Sequence, residues 1–148
     1  MAGVDDLYKE VILDHYKSPR NKRDLPGADV SSSKNNPLCG DEITVLATVD
    51  GGTVAEVAFL GSGCSISQAS ASMMTEAVKG KSLDEARDVA NEFRGMMEGA
   101  RDPDEDEFGD LMALKGVVKY PVRIKCAVLA WDVLQDALSG AEPGSDEA

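Results

Sequence analysis

An α+β fold built on a small antiparallel sheet of about three strands is what this chain predicts, and two observations carry that reading. Ile43, Val45, Ala47 and Val49 alternate with Thr44, Leu46 and Thr48, and after Asp50-Gly51-Gly52 a second apolar run covers Val54 to Leu60. Alternation of period two around a Gly-Gly turn is the signature of a hairpin, because such a turn needs positive φ at both central residues. The segments on either side have helical spacing instead, so strands and helices are segregated rather than interleaved. At 148 residues and 43% hydrophobic content the chain is expected to form one domain over 1–140, with an acidic, small-residue tail at 141–148.

Taken in order, Val4 to Lys17 reads as a helix, since Val4, Leu7, Tyr8, Val11, Ile12 and Tyr16 share one face and Pro19 follows. His15, the single histidine, has no Cys or second His at ligand spacing and reads as a partly buried or capping residue. From Ser18 to Gly40 the Pro, Asn, Ser and Gly content predicts loop, with one short strand around Ala28 to Ser32. The hairpin comes next. Gly61-Ser62-Gly63-Cys64 then leads into an Ala/Met-rich helix from about Ser67 to Lys79, which Gly80 ends. Ser82-Leu83-Asp84-Glu85 has the form of a capping box and opens a helix that runs to about Glu98. Gly99 to Asp110 is an acidic loop, and a short helical segment follows around Phe108 to Lys115. Pro121 suits a first helical turn, so the last helix runs from about Val122 to Ser139, with Ala127, Trp131, Leu134 and Leu138 facing inward.

The bulk charge narrows the function. A net charge of −12 repels phosphate backbones, and no basic cluster interleaved with aromatics offsets it, so nucleic acid is excluded as a partner. No apolar run reaches the length of a membrane span, and the N-terminus lacks a signal-peptide pattern, so the expectation is a cytoplasmic protein with no membrane association. In a reducing compartment its three cysteines point to metal binding, reactivity or simple burial rather than disulfides.

Those cysteines are the chemistry on offer. Cys39, Cys64 and Cys126 lie far apart, none in a Cys-x-x-Cys pair, and each falls where an element begins or ends. Cys39-Gly40-Asp41 puts a thiol and a carboxylate on one turn, with a glycine between them to let both face one point. Cys64 and Cys126 fall at or near helix N-termini, where unpaired amides favour a thiolate. If Cys39, Asp41, Cys64 and Cys126 converge, zinc is the natural ion, and Arg123 and Lys125 could offset the charge of the site. Spacing alone leaves open that Cys64 and Cys126 are ordinary buried residues and that Arg123 and Lys125 lie on a solvated face. The Gly61-Ser62-Gly63 turn completes neither nucleotide-binding glycine motif, and Met73, Met74, Met96 and Met97 read as core filler.

The segments Asp14-His15-Tyr16-Lys17-Ser18-Pro19-Arg20-Asn21, Asn36-Pro37-Leu38-Cys39-Gly40-Asp41, Gly61 to Ser70 and Arg123-Ile124-Lys125-Cys126 resemble the IscU/SufU (NifU N-terminal-like) family, in order and across nearly the whole chain. Within it the chain is similar to the SufU branch. Lys125 stands where scaffold-type members carry a His, Lys119-Tyr120-Pro121-Val122-Arg123 replaces their Leu-Pro-Pro-Val-Lys stretch, and the residues between about 98 and 121 resemble the branch's insertion. The resemblance implies helices packed on one face of the sheet and a zinc site at an exposed end. It also implies a zinc-dependent sulfurtransferase that takes persulfide sulfur from a PLP-dependent SufS-type cysteine desulfurase and passes it towards a downstream Suf cluster-assembly scaffold. By position Cys39, Asp41, Cys64 and Cys126 would be the ligands. A His of the desulfurase would free Cys39 as the sulfur acceptor, with Arg123 supporting. The alternatives are an IscU-like scaffold carrying a transient iron–sulfur cluster and a purely structural zinc module.

Overall fold

A computed structural model describes residues 4–36, 40–100, 102–103 and 105–140. Cys39 and the 141–148 tail lie outside these residues. Helix α1 (Val4–Lys17) forms where its apolar spacing predicts, with Val11 and Ile12 packed on the core. Three strands follow, β1 (Val30–Asn36), β2 (Asp41–Asp50) and β3 (Thr53–Ser62), in the order β1-β2-β3, all antiparallel. Gly51 and Gly52 close the β2–β3 hairpin at φ of 60° and 81°, both in the region that the tight turn requires.

On β2 the side chains of Ile43, Val45 and Ala47 are fully buried on one face, while Thr44, Leu46 and Thr48 are half-buried on the other. Strand β1 starts later and runs further than the Ala28–Ser32 expectation, pairing from Val30 with Ala47 to Asn36 with Asp41. Its Ser31, Ser33, Lys34 and Asn35 are exposed. A polar edge strand carries no alternation to read, so its extent is set by the hydrogen-bonding partner rather than by its own side chains. The opposite edge of the sheet is covered by the loop after α1. There Phe59 donates its N–H to the Asn21 carbonyl (3.0 Å) and accepts from the Arg23 N–H (3.1 Å).

Helix α2 (Ser65–Val78) is buried on nearly every side, between α1, β3 and the last helix. It starts two residues before the composition suggested, because Cys64 itself takes the N-cap position. Helix α3 (Leu83–Met97) opens with both halves of the predicted capping box: the Ser82 hydroxyl accepts from the Glu85 amide at 3.0 Å, and the Glu85 carboxylate accepts from the Ser82 amide at 3.1 Å. These bonds hold the Glu85 carboxyl below its ordinary value of 4.5. The cap therefore contributes above that pH and fades as acid protonates the group.

The stretch read as a loop contains one helical turn, α4 (Glu105–Phe108), and the short helix expected at Phe108–Lys115 is instead a 3-10 helix spanning Gly109–Lys119. Leu111, Met112, Ala113 and Leu114 are all buried. Four consecutive inward residues show no 3.6-residue stripe, so the periodicity argument had nothing to detect. Helix α5 (Pro121–Ser139) begins with Pro121 in its first turn and packs beneath β1 and β2.

The core is centred on Trp131, fully buried and stacked on Phe93 with ring centroids 4.7 Å apart at 16°. Its indole N–H donates to the Ser70 hydroxyl at 3.2 Å, and that hydroxyl donates to the Ala127 carbonyl at 2.6 Å. The one polar atom of the ring is thereby satisfied, and α2 is tied to α5. Met73, Met74, Met96 and Met97 are core residues, as expected. Among the described residues no helix is long and apolar enough to cross a membrane. Trp131→Ala should cost about 3–5 kcal/mol of stability. Because Trp131 is the chain's only tryptophan, the loss should be measured by urea unfolding followed by far-ultraviolet circular dichroism.

Candidate metal centre

Three of the four predicted ligands meet where β2 begins and β3 ends. Asp41 is the first residue of β2, Cys64 caps α2, and Cys126 lies in the second turn of α5. A carboxylate oxygen of Asp41 and the two Sγ atoms all lie within 4.8 Å of one another. Asp41 and Cys126 are buried, and Cys64 is half-buried. Cys39, two residues before Asp41 across Gly40 (φ 69°), falls outside the described residues, so its place in this cluster is taken up as a proposal below.

Two glycines make the convergence possible. Gly61 and Gly63 adopt φ of 150° and 146°, conformations that L side chains rarely enter. A Cβ on Gly61 would run into the Glu42 carbonyl, and one on Gly63 would run into Asp41 Oδ1 while lying 2.9 Å from the Asp41 Cα. With both side chains absent, the end of β3 and the residue after it lie close against the start of β2. The Cys64 amide then donates to Asp41 Oδ1 at 2.8 Å, and the Cys64 sulfur lies 3.9 Å from Oδ2. The Gly61-Ser62-Gly63-Cys64 stretch that carries part of the family resemblance thus has a steric reason for both of its glycines.

The donor set suits zinc. Sulfur and carboxylate ligands at bond lengths of about 2.0–2.3 Å in a tetrahedron lie roughly 3.5–3.8 Å apart, and the observed spacing needs only slight closure. A buried carboxylate facing two sulfurs also needs a cationic partner, since its Oδ1 has the Cys64 amide while Oδ2 faces sulfur. Cys126 departs from the expectation of a helix-terminal thiol. Six residues into α5, with its sulfur 3.8 Å from the Val122 carbonyl, it lies beyond the first turn where the helix field is strong.

Arg123 is the nearby cation. Attraction to Cys64 first and Cys126 second, with hydrogen bonding to both, raises its guanidinium above its ordinary pKa. Lys125 is exposed. Arg123 also lines a groove of about 720 Å³ that opens at Cys64 between α1, α2 and the 3-10 helix, together with Lys9, Lys119, Ile66 and Tyr120. No carboxylate is among the described residues lining it, a local reversal in a chain of net charge −12.

His15 lies elsewhere, between α1, α2 and the 3-10 helix. It is buried, with Nδ1 2.8 Å from the Ser72 hydroxyl and Nε2 2.9 Å from Asp110 Oδ2. The trio contains the groups of a serine hydrolase, but Ser72 is fully buried and its oxygen already accepts from the Arg20 amide at 2.8 Å. One assignment satisfies every group: the Ser72 hydroxyl donates to Nδ1, and Nε2–H donates to Asp110. His15 is a structural clasp rather than a ligand, in line with its sequence reading.

Residues 7–127 match the NifU-like N terminal domain family. The chain belongs to that family. Among its relatives in the NifU-like family is the zinc-dependent sulfurtransferase SufU of Bacillus subtilis, 47% identical over 144 residues that cover 97% of each chain. The iron-sulfur cluster assembly scaffold protein IscU of Streptococcus pyogenes is 42% identical over 93% of this chain and 86% of its own. A crystal structure from Fervidobacterium islandicum, of a candidate iron-sulfur cluster assembly scaffold protein for the SUF system, superposes with a TM-score of 0.83 at 35% identity. It covers 92% of this chain and 99% of that one. The α+β architecture with a three-stranded antiparallel sheet is thus the NifU-like one.

Gly63→Ala should weaken zinc binding by about 10–100-fold, read by competition with a chromophoric chelator, because it displaces Asp41 without removing a ligand. His15→Ala should leave zinc content unchanged. It should lower unfolding stability by about 1–3 kcal/mol in a urea titration, since Ser72 loses a buried partner.

Proposed function

We propose that this chain is a zinc-dependent sulfurtransferase of iron–sulfur cluster assembly, with Cys39 as the sulfur acceptor and Cys39, Asp41, Cys64 and Cys126 as the zinc ligands. The observation that carries the proposal is the meeting of Asp41, Cys64 and Cys126 within 4.8 Å, with Cys39 only two residues from Asp41. Its likeness to the Bacillus subtilis sulfurtransferase supports it. The donor is a PLP-dependent SufS-type cysteine desulfurase, the receiver a downstream Suf scaffold, and the place of action the cytoplasm.

When bound, zinc supplies one thing: it keeps the cysteines deprotonated at neutral pH and holds their sulfurs quiet. The chain's own residues do the rest. Cys64 and Cys126 are anchored by the α2 cap and the α5 body, whereas Cys39 precedes the Gly40 turn, so Cys39 is the ligand able to leave without unravelling a helix. Its thiolate attacks the outer sulfur of the donor persulfide. A Cys39 S–S bond forms as the donor's S–S bond breaks, and the donor cysteine departs as a thiolate. No proton moves in this step, and no general base is required. Arg123, charged throughout the physiological range and close to both remaining sulfurs, offsets the negative charge that gathers there.

The second reading, a cluster scaffold, is favoured by the 42% identity to the Streptococcus pyogenes IscU. Cys39→Ala separates the two readings. For a sulfurtransferase it should abolish both the stimulation of a partner desulfurase and the sulfur-mass increase on the Cys39 peptide, while far-ultraviolet dichroism stays native. Full stimulation by this variant would overturn the proposal. Anaerobic reconstitution of a stable, transferable iron–sulfur chromophore would transfer support to the scaffold.

A further inference from the structure

A second groove, of about 730 Å³, lies between the end of α1, α2, α3 and the junction of α4 with the 3-10 helix. It is remote from the metal centre. Its α2 wall, Met73, Glu76 and Ala77, is 9–13 residues beyond Cys64 on one straight helix. At 1.5 Å per residue that is about 14–20 Å from the sulfur. The floor is apolar: Ala77, Val89 and Phe108 are half-buried and accessible, over Met73 and Leu111, which are buried beneath them. Along α3 the residues facing it are Glu85, Asp88, Val89 and Glu92, a single helical stripe that is acidic around one valine.

The charge of this groove is not the general acidity of the chain. Five of its thirteen lining residues are Asp or Glu, against 27 of 148 overall, whereas the groove at Cys64 has none among its described residues. Arg20 and Lys81 are its cations, and Arg20 is paired with Asp14 at 2.7 Å; of its carboxylates, Glu76 accepts from Asn21, Glu85 from the Ser82 amide and Asp110 from His15. The walls are fixed before any partner arrives. His15 ties α1 to α2 and to Asp110, the Arg20 amide bonds Ser72, and the capping box sets the start of α3. A preformed wall saves the ordering cost that a flexible one would pay on binding.

We propose that this groove is a docking site for a Lys/Arg-rich amphipathic helix of a partner protein, seated with its apolar face on Ala77, Val89 and Phe108 and its cations along Glu85 and Asp88. The occupant is chosen by charge complementarity. An apolar floor selects the i, i+3/i+4, i+7 face of a helix, and a rim of carboxylates on one stripe selects cations flanking that face. The site is independent of sulfur transfer, so a partner held here would leave the Cys64 groove open to a second protein.

The test uses the whole chain and a fluorescein-labelled helical peptide with Leu at i, i+3/i+4 and i+7 and Lys at its flanking positions, read by fluorescence anisotropy. Asp88 is exposed, so D88K should keep the fold, as circular dichroism can confirm. D88K should weaken binding by about tenfold or more. D50K makes the same charge change at the hairpin turn and should alter binding by less than about twofold. Amide exchange on α3 should slow in the complex. Equal losses from the two variants would overturn the proposal, as would undiminished binding of a peptide with Glu in place of Lys. Absence of saturable binding by the native chain would also overturn it. Sedimentation showing a dimer that D88K dissociates would assign the groove to a second copy instead.

Discussion

The contact on which the candidate site depends is the close approach of two chain segments at Asp41. The backbone at Gly61 and Gly63 lies against Glu42 and Asp41 at a distance that only glycine permits, and the Cys64 amide donates to the Asp41 carboxylate at 2.8 Å. This single hydrogen bond sets the phase of α2 relative to the sheet, because the donor is the helix's own N-cap residue. The sheet, the two thiol-bearing helices and the carboxylate are therefore one positional problem, solved by two missing side chains rather than by an added interaction.

Much of this was legible beforehand. Period-two alternation around Gly51-Gly52 located the hairpin because a tight turn leaves few options for residue type. The capping box at Ser82–Glu85 located α3 because both of its hydrogen bonds are local. What escaped was non-local. Strand β1 owes its length to β2 and has no apolar face of its own, and the 3-10 helix Gly109–Lys119 buries four residues in a row, which defeats any periodicity. The His15–Asp110 bond joins residues 95 apart in sequence, a pairing no local pattern announces.

The site divides the same way. Residue chemistry and motif likeness selected Cys39, Asp41, Cys64 and Cys126; the geometry brings the last three together, and Cys39 lies outside the described residues. The dipole argument for Cys126 did not survive, since the cysteine sits past the first turn of α5. Charge segregation was equally hidden, because net charge is a sum. A chain of −12 places Lys9, Lys119 and Arg123 around the thiol groove and five of its 27 carboxylates around another. An anionic sulfur species or an acidic partner surface would thus be drawn to one end of the molecule and turned away from the other.

The Ser70 hydroxyl, bonded to the Ala127 carbonyl and to the Trp131 indole, rivets α2 to α5 one residue beyond Cys126 and six beyond Cys64. The gap between the two sulfurs is accordingly a property of helix packing deep in the interior, not of the surface loops. A molecule that has lost its ion would still present two jaws at nearly the right opening. Recharging such a molecule would be limited by the arrival of the ion rather than by a search for the spacing of these two helices.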